Sequence, residues 1–348
     1  MTDTVNTRRL ALDVLLEVTE HGAYSNQVLR AVLEKYQYME KYERAFLTRL
    51  VEGTIQHMIE LDYVIDQFSK VKVKKMKPVI RNILRMGVYQ IQYMDSVPDS
   101  AACNEAVKLA RKSGFSTLSG FVNGVLRNIA RNSGSIRYPD EEKEPVLALS
   151  VRYSMPEWMV KEWLTSYGRE QTETMLAAFY EKEPLTIRVN RNRISPADLK
   201  VRLEARGIHM RPAPYIDGAL QMDGFDYLGG LDEFREGLFQ VQDVSSMLAV
   251  EIAGVKAGDH CIDVCAAPGG KSLYLAEKAG ETGGVDARDL TDYKAEMIRD
   301  NAERLGVTNV TVSVKDACVY DEASKEKADV LLADLPCSGL GVLSKKTD

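Results

Sequence analysis

From Thr7 to Arg131 the apolar residues recur at intervals of three and four, the spacing that lines them along one side of a helix. LALDVLLEV, NQVLRAVLEKY, RAFLTRLVEGTIQHMIELDYVIDQF, VIRNILRMGVYQIQYM, SAACNEAVKLARK and LSGFVNGVLRNIAR each carry the repeat. Gly and Pro gather at joints such as VPDS (97–100) and SGFS (113–116). Stripes of this kind are buried by folding helix on helix, so residues 1–131 are expected to form an all-α bundle. NSGSIRYPDEEKEP (132–145) breaks the rhythm with polar residues, Gly and Pro, and reads as a linker. Helical segments follow around Trp158 and Trp163, both expected in a core. LTIRVNRNR (185–193) alternates like a strand, SPADLKVRLEARG reads as a capped helix, and GLFQVQ (237–242) is strand-like ahead of the helix VSSMLAVEIAGV. The stretch 132–245 is therefore a linker plus a small α+β segment.

Beyond Ala257 the rhythm changes to strand, helix, strand, helix, which marks a parallel sheet. HCIDV (260–264), GGVDARD (283–289), VTVSVKD (310–316) and ADVLLAD (328–334) are the strands, and SLYLAEKAG and LTDYKAEMIRDNAERLG fill the first two crossovers. The strands end at or near Asp263, Asp289, Asp316 and Asp334. In an open parallel sheet the C-terminal strand ends border the ligand crevice. Four carboxylates there need hydroxyls, amines or a cation to answer them.

Composition narrows the class. The 348 residues are 45% hydrophobic and 28% charged, with no apolar run long enough to span a membrane and no signal-peptide layout at the start. Cys103, Cys261, Cys265, Cys318 and Cys337 form no CxxC pair, and there are four histidines, so neither a metal site nor a disulfide framework is expected; a reducing cytoplasm fits. The net charge of −6 hides an asymmetry: residues 1–131 carry 19 basic against 14 acidic side chains, while the remainder is strongly acidic. Lys70, Lys72, Lys74, Lys75, Lys77, Arg81 and Arg85 cluster at one helix start. They fit either a solvated helix face or a polyanion contact. Arg188, Arg191 and Arg193 leave the same two readings open, phosphate ligands or exposed strand-end charges.

CAAPGGKS (265–272) lies between the first parallel strand and its helix. Pro268 bends the chain, and Gly269 and Gly270 remove side chains where the backbone must come close to a ligand. The helix behind it offers unpaired N–H groups. The segment is neither GxGxxG nor a P-loop, so a nucleoside without a long phosphate chain fits better than a nucleotide. Asp289, at the end of the second strand, is suited to hold ribose hydroxyls; Asp286 competes for that role.

Together CAAPGGK (265–271), ARDL (287–290), KDA (315–317) and DLPCSG (334–339) resemble the S-adenosylmethionine-dependent RNA 5-methylcytosine methyltransferases, closest to the RsmB (Sun/Fmu) branch that acts on a cytosine of 16S ribosomal RNA. VPDSAACNEAVKLARK and FVNGVLRNI look like the closing helices of that branch's NusB-like domain, and GLFQVQDVSSMLA like its lead into the methyltransferase domain. The resemblance implies a NusB-like helical RNA-binding domain (1–131), a small α+β RNA-binding segment (132–245) and a Rossmann-type methyltransferase domain (246–348). It implies that Cys265, Ala266, Ala267, Pro268, Gly269, Gly270 and Lys271 wrap the methionine end of S-adenosylmethionine. Asp289 would then hold the ribose, Asp316 lie by the adenine, and Asp334 stand where cofactor and target base meet. The substrate would be 16S ribosomal RNA, free or in an early small-subunit particle, met by a monomer away from any membrane.

In this family a thiolate adds to carbon 6 of the cytosine and so activates carbon 5. The attacking cysteine lies in a Thr-Cys segment after DLPCSG, and the Pro-Cys thiol, here Cys337, assists product release. No cysteine of the chain follows a threonine. The expectation is a C-terminally truncated member whose last strand and neighbours present an uncovered edge and face. An RNA- and cofactor-binding fragment without catalysis is the alternative, and a NusB-like transcription factor a weaker one.

Overall fold

The computed structural model describes residues 6–181, 184–340 and 343. They form two compact units, 6–181 with Leu340 and Leu343, and 184–339.

The first unit is built on α1 (Thr7–His21), α2 (Ser25–Lys35), α3 (Lys41–Gln56), α4 (Met58–Phe68), α5 (Pro78–Tyr93), α6 (Asp99–Lys112) and α7 (Ser119–Arg131). α1 starts where the Asn6 side chain accepts from the Arg9 amide at 2.9 Å and stops at Gly22, φ +68. Leu12, Leu15, Leu47, Leu50, Leu61, Ile83 and Leu126 meet in its core, each worth about 1.5–3 kcal/mol on burial. α3 and α5 touch at Gly53, where a Cβ would overlap the Tyr89 ring.

The apolar run 44–68 is two helices rather than one, broken at His57. No Gly or Pro marks the break; tertiary contacts make it. The imidazole stacks on Tyr93 at 4.1 Å, with Nδ1 3.2 Å from Glu60 Oε2. Glu60, itself buried, also accepts from the hydroxyls of Tyr93 and Tyr138, the latter at 2.9 Å. Tyr138 belongs to the 132–145 linker, which is thereby strapped to the bundle, and burial together with Glu60 pushes its phenol up to about 12.

The unit ends with α8 (Pro145–Arg152) and α9 (Glu157–Ala178), the latter kinked at Gly168, φ +76. Trp163 packs with Leu149, Met159, Val160 and Leu176. Trp158 is 66% exposed, which corrects the expectation that both tryptophans are core. It lies outside the stripe set by 159, 160 and 163.

The second unit opens with β1 (Leu185–Val189), α10 (Pro196–Glu204), β2 (His209–Pro212), β3 (Ala219–Asp223), α11 (Asp232–Arg235) and β4 (Phe239–Val241). Its strands pair antiparallel in the order β2-β3-β1-β4 around Phe239, Ile187, Met222 and Leu203. Then come α12 (Val244–Ala253), β5 (His260–Asp263), α13 (Gly270–Ala279), β6 (Gly284–Asp289), α14 (Asp292–Leu305), β7 (Val310–Val314) and β8 (Val330–Leu332). The last four strands are parallel in the order β7-β6-β5-β8. The chain winds outward from β5 to β7 and then returns to the far side of β5, which creates a switch point between β5 and β8.

Register assigns the two faces of this sheet. Cys261, Val285, Ala287, Val310, Val312, Val330 and Leu332 share one face and pack with Met247, Val250, Leu275 and Ile298 of the helices. Ile262, Arg288, Ser313 and Leu331 share the other, where Leu331 is 63% exposed and β8 is an edge strand. Among the described residues no helix is long and apolar enough to cross a membrane.

Candidate functional site

The CAAPGGK loop is fastened from beneath by the sheet and from the side by α14. The Ala266 amide donates to the Arg288 carbonyl at 2.8 Å, and the Ala267 amide to Asp289 Oδ2 at 3.0 Å. The Pro268 carbonyl accepts from Asn301 Nδ2 at 2.9 Å. Gly269 has φ +105, a conformation side chains rarely adopt, and a Cβ there would lie 3.3 Å from Leu273 Cδ1. It caps α13 without any side-chain acceptor, so the first turn of that helix offers its amides to a ligand.

Asp289 is 3% exposed. Its Oδ1 accepts from the Leu290 amide at 2.8 Å and lies 3.0 Å from Lys294 Nζ. Burial alone would raise its pKa, but these donors and Ala267 outweigh burial and hold it below the usual carboxylate value. Asp286 is engaged elsewhere, paired with Arg288 on the opposite face of β6. Between the two candidates for a ligand carboxylate, Asp289 is the one beside the loop.

Lys271 reaches across the switch point, its Nζ 2.5 Å from Asp334 Oδ2, and joins CAAPGGK to DLPCSG. Cys337 lies three residues further on, exposed and free. Cys265 is partly buried; burial and the neighbouring Asp289 and Asp263 raise its thiol pKa.

The four strand-end aspartates do not act as one rim. Asp263 is turned inward under α13, accepting from Ser272 Oγ at 2.6 Å and the Cys265 amide at 3.3 Å, and burial raises its pKa despite both donors. Asp316 is exposed and caps the Cys318 amide at 2.9 Å. It borders a cleft of about 620 Å³ with Ile262, Val264, Arg288, Tyr320 and Leu331, on the less covered face. The structure thus brings Cys265–Lys271, Asp289 and Asp334 together and leaves Asp316 at the margin.

Sequence reading missed Ser272, Lys294, Asn301 and Arg304. Lys294 had a signal, since Thr291 marks a helix start and places residue 294 one turn in, facing back to the strand end. Nothing local marks Asn301 or Arg304. The arginines of β1 and its exit are internal ties, a third outcome beside phosphate ligand and free charge. Arg188 is buried against Glu277, Gln242 and the Tyr274 ring; Arg191 holds Asp217; Arg193 holds the Arg304 carbonyl. In the basic cluster Arg85 is a bidentate partner of Asp62 and Arg81 pairs with Glu20, while Lys74, Lys75 and Lys77 are exposed. Among the described residues no group of His, Cys, Asp and Glu is placed to hold a metal ion.

Family comparisons agree with this layout. Residues 5–131 match the NusB family, 155–225 the ferredoxin-like domain of RsmF/B-like methyltransferases, and 251–348 the 16S rRNA methyltransferase RsmB/F family. The chain is 36% identical over 342 residues to a probable ribosomal RNA small subunit methyltransferase B of Bacillus subtilis, covering 98% of this chain and 75% of that protein. It is 30% identical to the Synechocystis protein of the same description, covering 99% and 77%. The crystal structure of PH0851 shares the fold, with a TM-score of 0.80 at 22% identity over 99% of this chain and 77% of that one. The chain therefore belongs to the RsmB/F family of 16S ribosomal RNA methyltransferases and spans about three quarters of the length of these relatives.

Proposed function

We propose that the protein methylates carbon 5 of a cytosine in 16S ribosomal RNA with S-adenosylmethionine as cofactor, acting as a cytoplasmic monomer on free RNA or an early small-subunit particle. The observation that carries this reading is the junction of Lys271 with Asp334, which ties an open helix N-terminus beside a buried carboxylate to the Pro-Cys segment. The residues present fit the cofactor. Gly269 and Gly270 leave the backbone bare, the first α13 amides suit the methionine carboxylate, and Asp289 suits the ribose hydroxyls. Because Asp289 Oδ1 already serves Lys294, a sugar hydroxyl arriving there takes the place of that lysine. Asp316 is assigned to the adenine side. When bound, the cofactor supplies an electrophilic methyl group.

The chain's own groups then orient the base. Asp334 and Lys271 face the space between loop and Pro-Cys segment, where an unstacked cytosine can be held by hydrogen bonds. In the proposed scheme a cysteine thiolate bonds to carbon 6, and carbon 5 takes the methyl group. Loss of the carbon-5 proton then expels the thiolate and restores the ring. The attacking thiolate belongs to the Thr-Cys segment of the family pattern, and Cys337 is the second thiol that assists release.

The test is to incubate a form of the protein that carries the Thr-Cys segment with 16S transcript and labelled S-adenosylmethionine, and to separate the nucleosides. Label in 5-methylcytidine is expected, with Asp289→Ala reducing it at least tenfold. That is the scale of a lost hydrogen bond to a charged group, about 1.5–3 kcal/mol. Label in any other nucleoside overturns the assignment.

A further inference from the structure

α14 is held at its C-terminal end by the small antiparallel sheet, and Asn301, one turn before that end, holds the cofactor loop. Arg304 Nη1 donates to the carbonyls of Phe234 at 3.0 Å and Phe239 at 3.1 Å, its guanidinium lies 4.2 Å from the Phe234 ring centre, and Nη2 also reaches Gln240 Oε1. The same Nη2 donates to Asn301 Oδ1 at 3.1 Å, and Asn301 Nδ2 donates to the Pro268 carbonyl at 2.9 Å and the Met297 carbonyl at 3.1 Å. Asn190 Nδ2 adds bonds to the Gly237 carbonyl at 2.9 Å and the Leu305 carbonyl at 2.8 Å. Arg193 adds one to the Arg304 carbonyl at 3.0 Å.

No carboxylate contacts Arg304 in any of these bonds. A half-buried guanidinium spent on carbonyls and two side-chain amides is a geometric device, because its planar fork fixes direction as well as distance. Asn301 is fixed in turn. Its amide nitrogen sits between two carbonyls and its oxygen faces a donor, so only one orientation satisfies all three partners. The result is a continuous hydrogen-bond relay from β4 and α11, through Arg304 and Asn301, to the residue before Gly269.

We propose that Asn301 and Arg304 are positioning residues that set the CAAPGGK loop from the small α+β domain, and through it the cofactor site. Neither residue touches the reacting atoms. This rests on the reading that the loop holds S-adenosylmethionine, and its first test needs no cofactor.

Hydrogen exchange of the ligand-free protein reads the relay directly. Asn301→Asp keeps the shape and the link to Arg304 but removes the donor to the Pro268 carbonyl. The hydrogen-bonded loop amides of Ala266, Ala267 and Gly269 should then exchange roughly three- to tenfold faster, the range one neutral hydrogen bond commands, while those in the middle of α13 and the melting temperature hold. S-adenosylhomocysteine measured by calorimetry should bind weaker by a similar factor. Arg304→Lys, which keeps the charge and loses the fork, should change both readouts in the same direction and serves if Asn301→Asp does not fold. Unchanged exchange at Ala266, Ala267 and Gly269 in a folded variant overturns the proposal. If the unaltered protein fails to bind S-adenosylhomocysteine while the exchange result holds, the cofactor reading falls and the relay stands.

Discussion

Two aspartates at the ends of neighbouring strands show how environment divides one residue type into two tasks. Asp263 is buried against Ser272 with its pKa raised, whereas Asp289 is wrapped by three donors that lower its own. The consequences for stability run in opposite directions. A carboxyl raised above its unfolded value, about 3.9, stabilises the fold below that value and loses the contribution as pH climbs through the raised pKa. Asp289 contributes above 3.9, and that contribution is lost as pH falls through its lowered pKa. Replacing Asp263 by Asn should therefore flatten the part of the melting-temperature profile that declines as pH rises above the ordinary carboxylate range, because the amide carries no charge to bury. Thermal melts across pH 4 to 8 check this, and an identical decline in Asp263→Asn would contradict it. Trp158 carries the complementary lesson, since its exposure follows from helical phase and not from residue type.

At the scale of elements, helices and strands followed from periodicity because burial imposes a period of 3.6 or 2 on each. What stayed hidden has its partners far away along the chain. The break at His57 is made by an aromatic stack with Tyr93, and no local residue announces it. The arginines of β1 looked available for phosphate because Glu277, Asp217 and the α14 C-terminus lie 26 to 111 residues off. Arg188 is the sharpest instance: it joins the small sheet to α13 through a buried pair with Glu277. Removing one member of such a pair strands the other charge, so Arg188→Met should cost about 3–5 kcal/mol in urea unfolding. The double variant with Glu277→Leu should recover most of that loss, because an apolar pair of similar volume replaces a costly desolvated one. Equal losses in single and double variants would show that the pair is not what holds the two elements together.

Across the whole molecule, the helical bundle, the small α+β segment and the parallel sheet were all legible in the sequence. CAAPGGK and DLPCSG stood out as the segments with chemistry to offer, and the strand order β7-β6-β5-β8 brings them together at its switch point. The supports of the CAAPGGK loop were not legible, because Asn301 and Arg304 act through hydrogen bonds that only the assembled fold creates. The central claim, that this assembly directs a methyl group to carbon 5 of one cytosine of 16S ribosomal RNA, is tested most directly by bisulfite sequencing of that RNA in a strain lacking the gene. One cytosine should lose its resistance to deamination in the deletion strain, recover it with the native gene, and fail to recover it with Asp289→Ala. An unchanged pattern of resistant cytosines in the deletion strain would contradict the account.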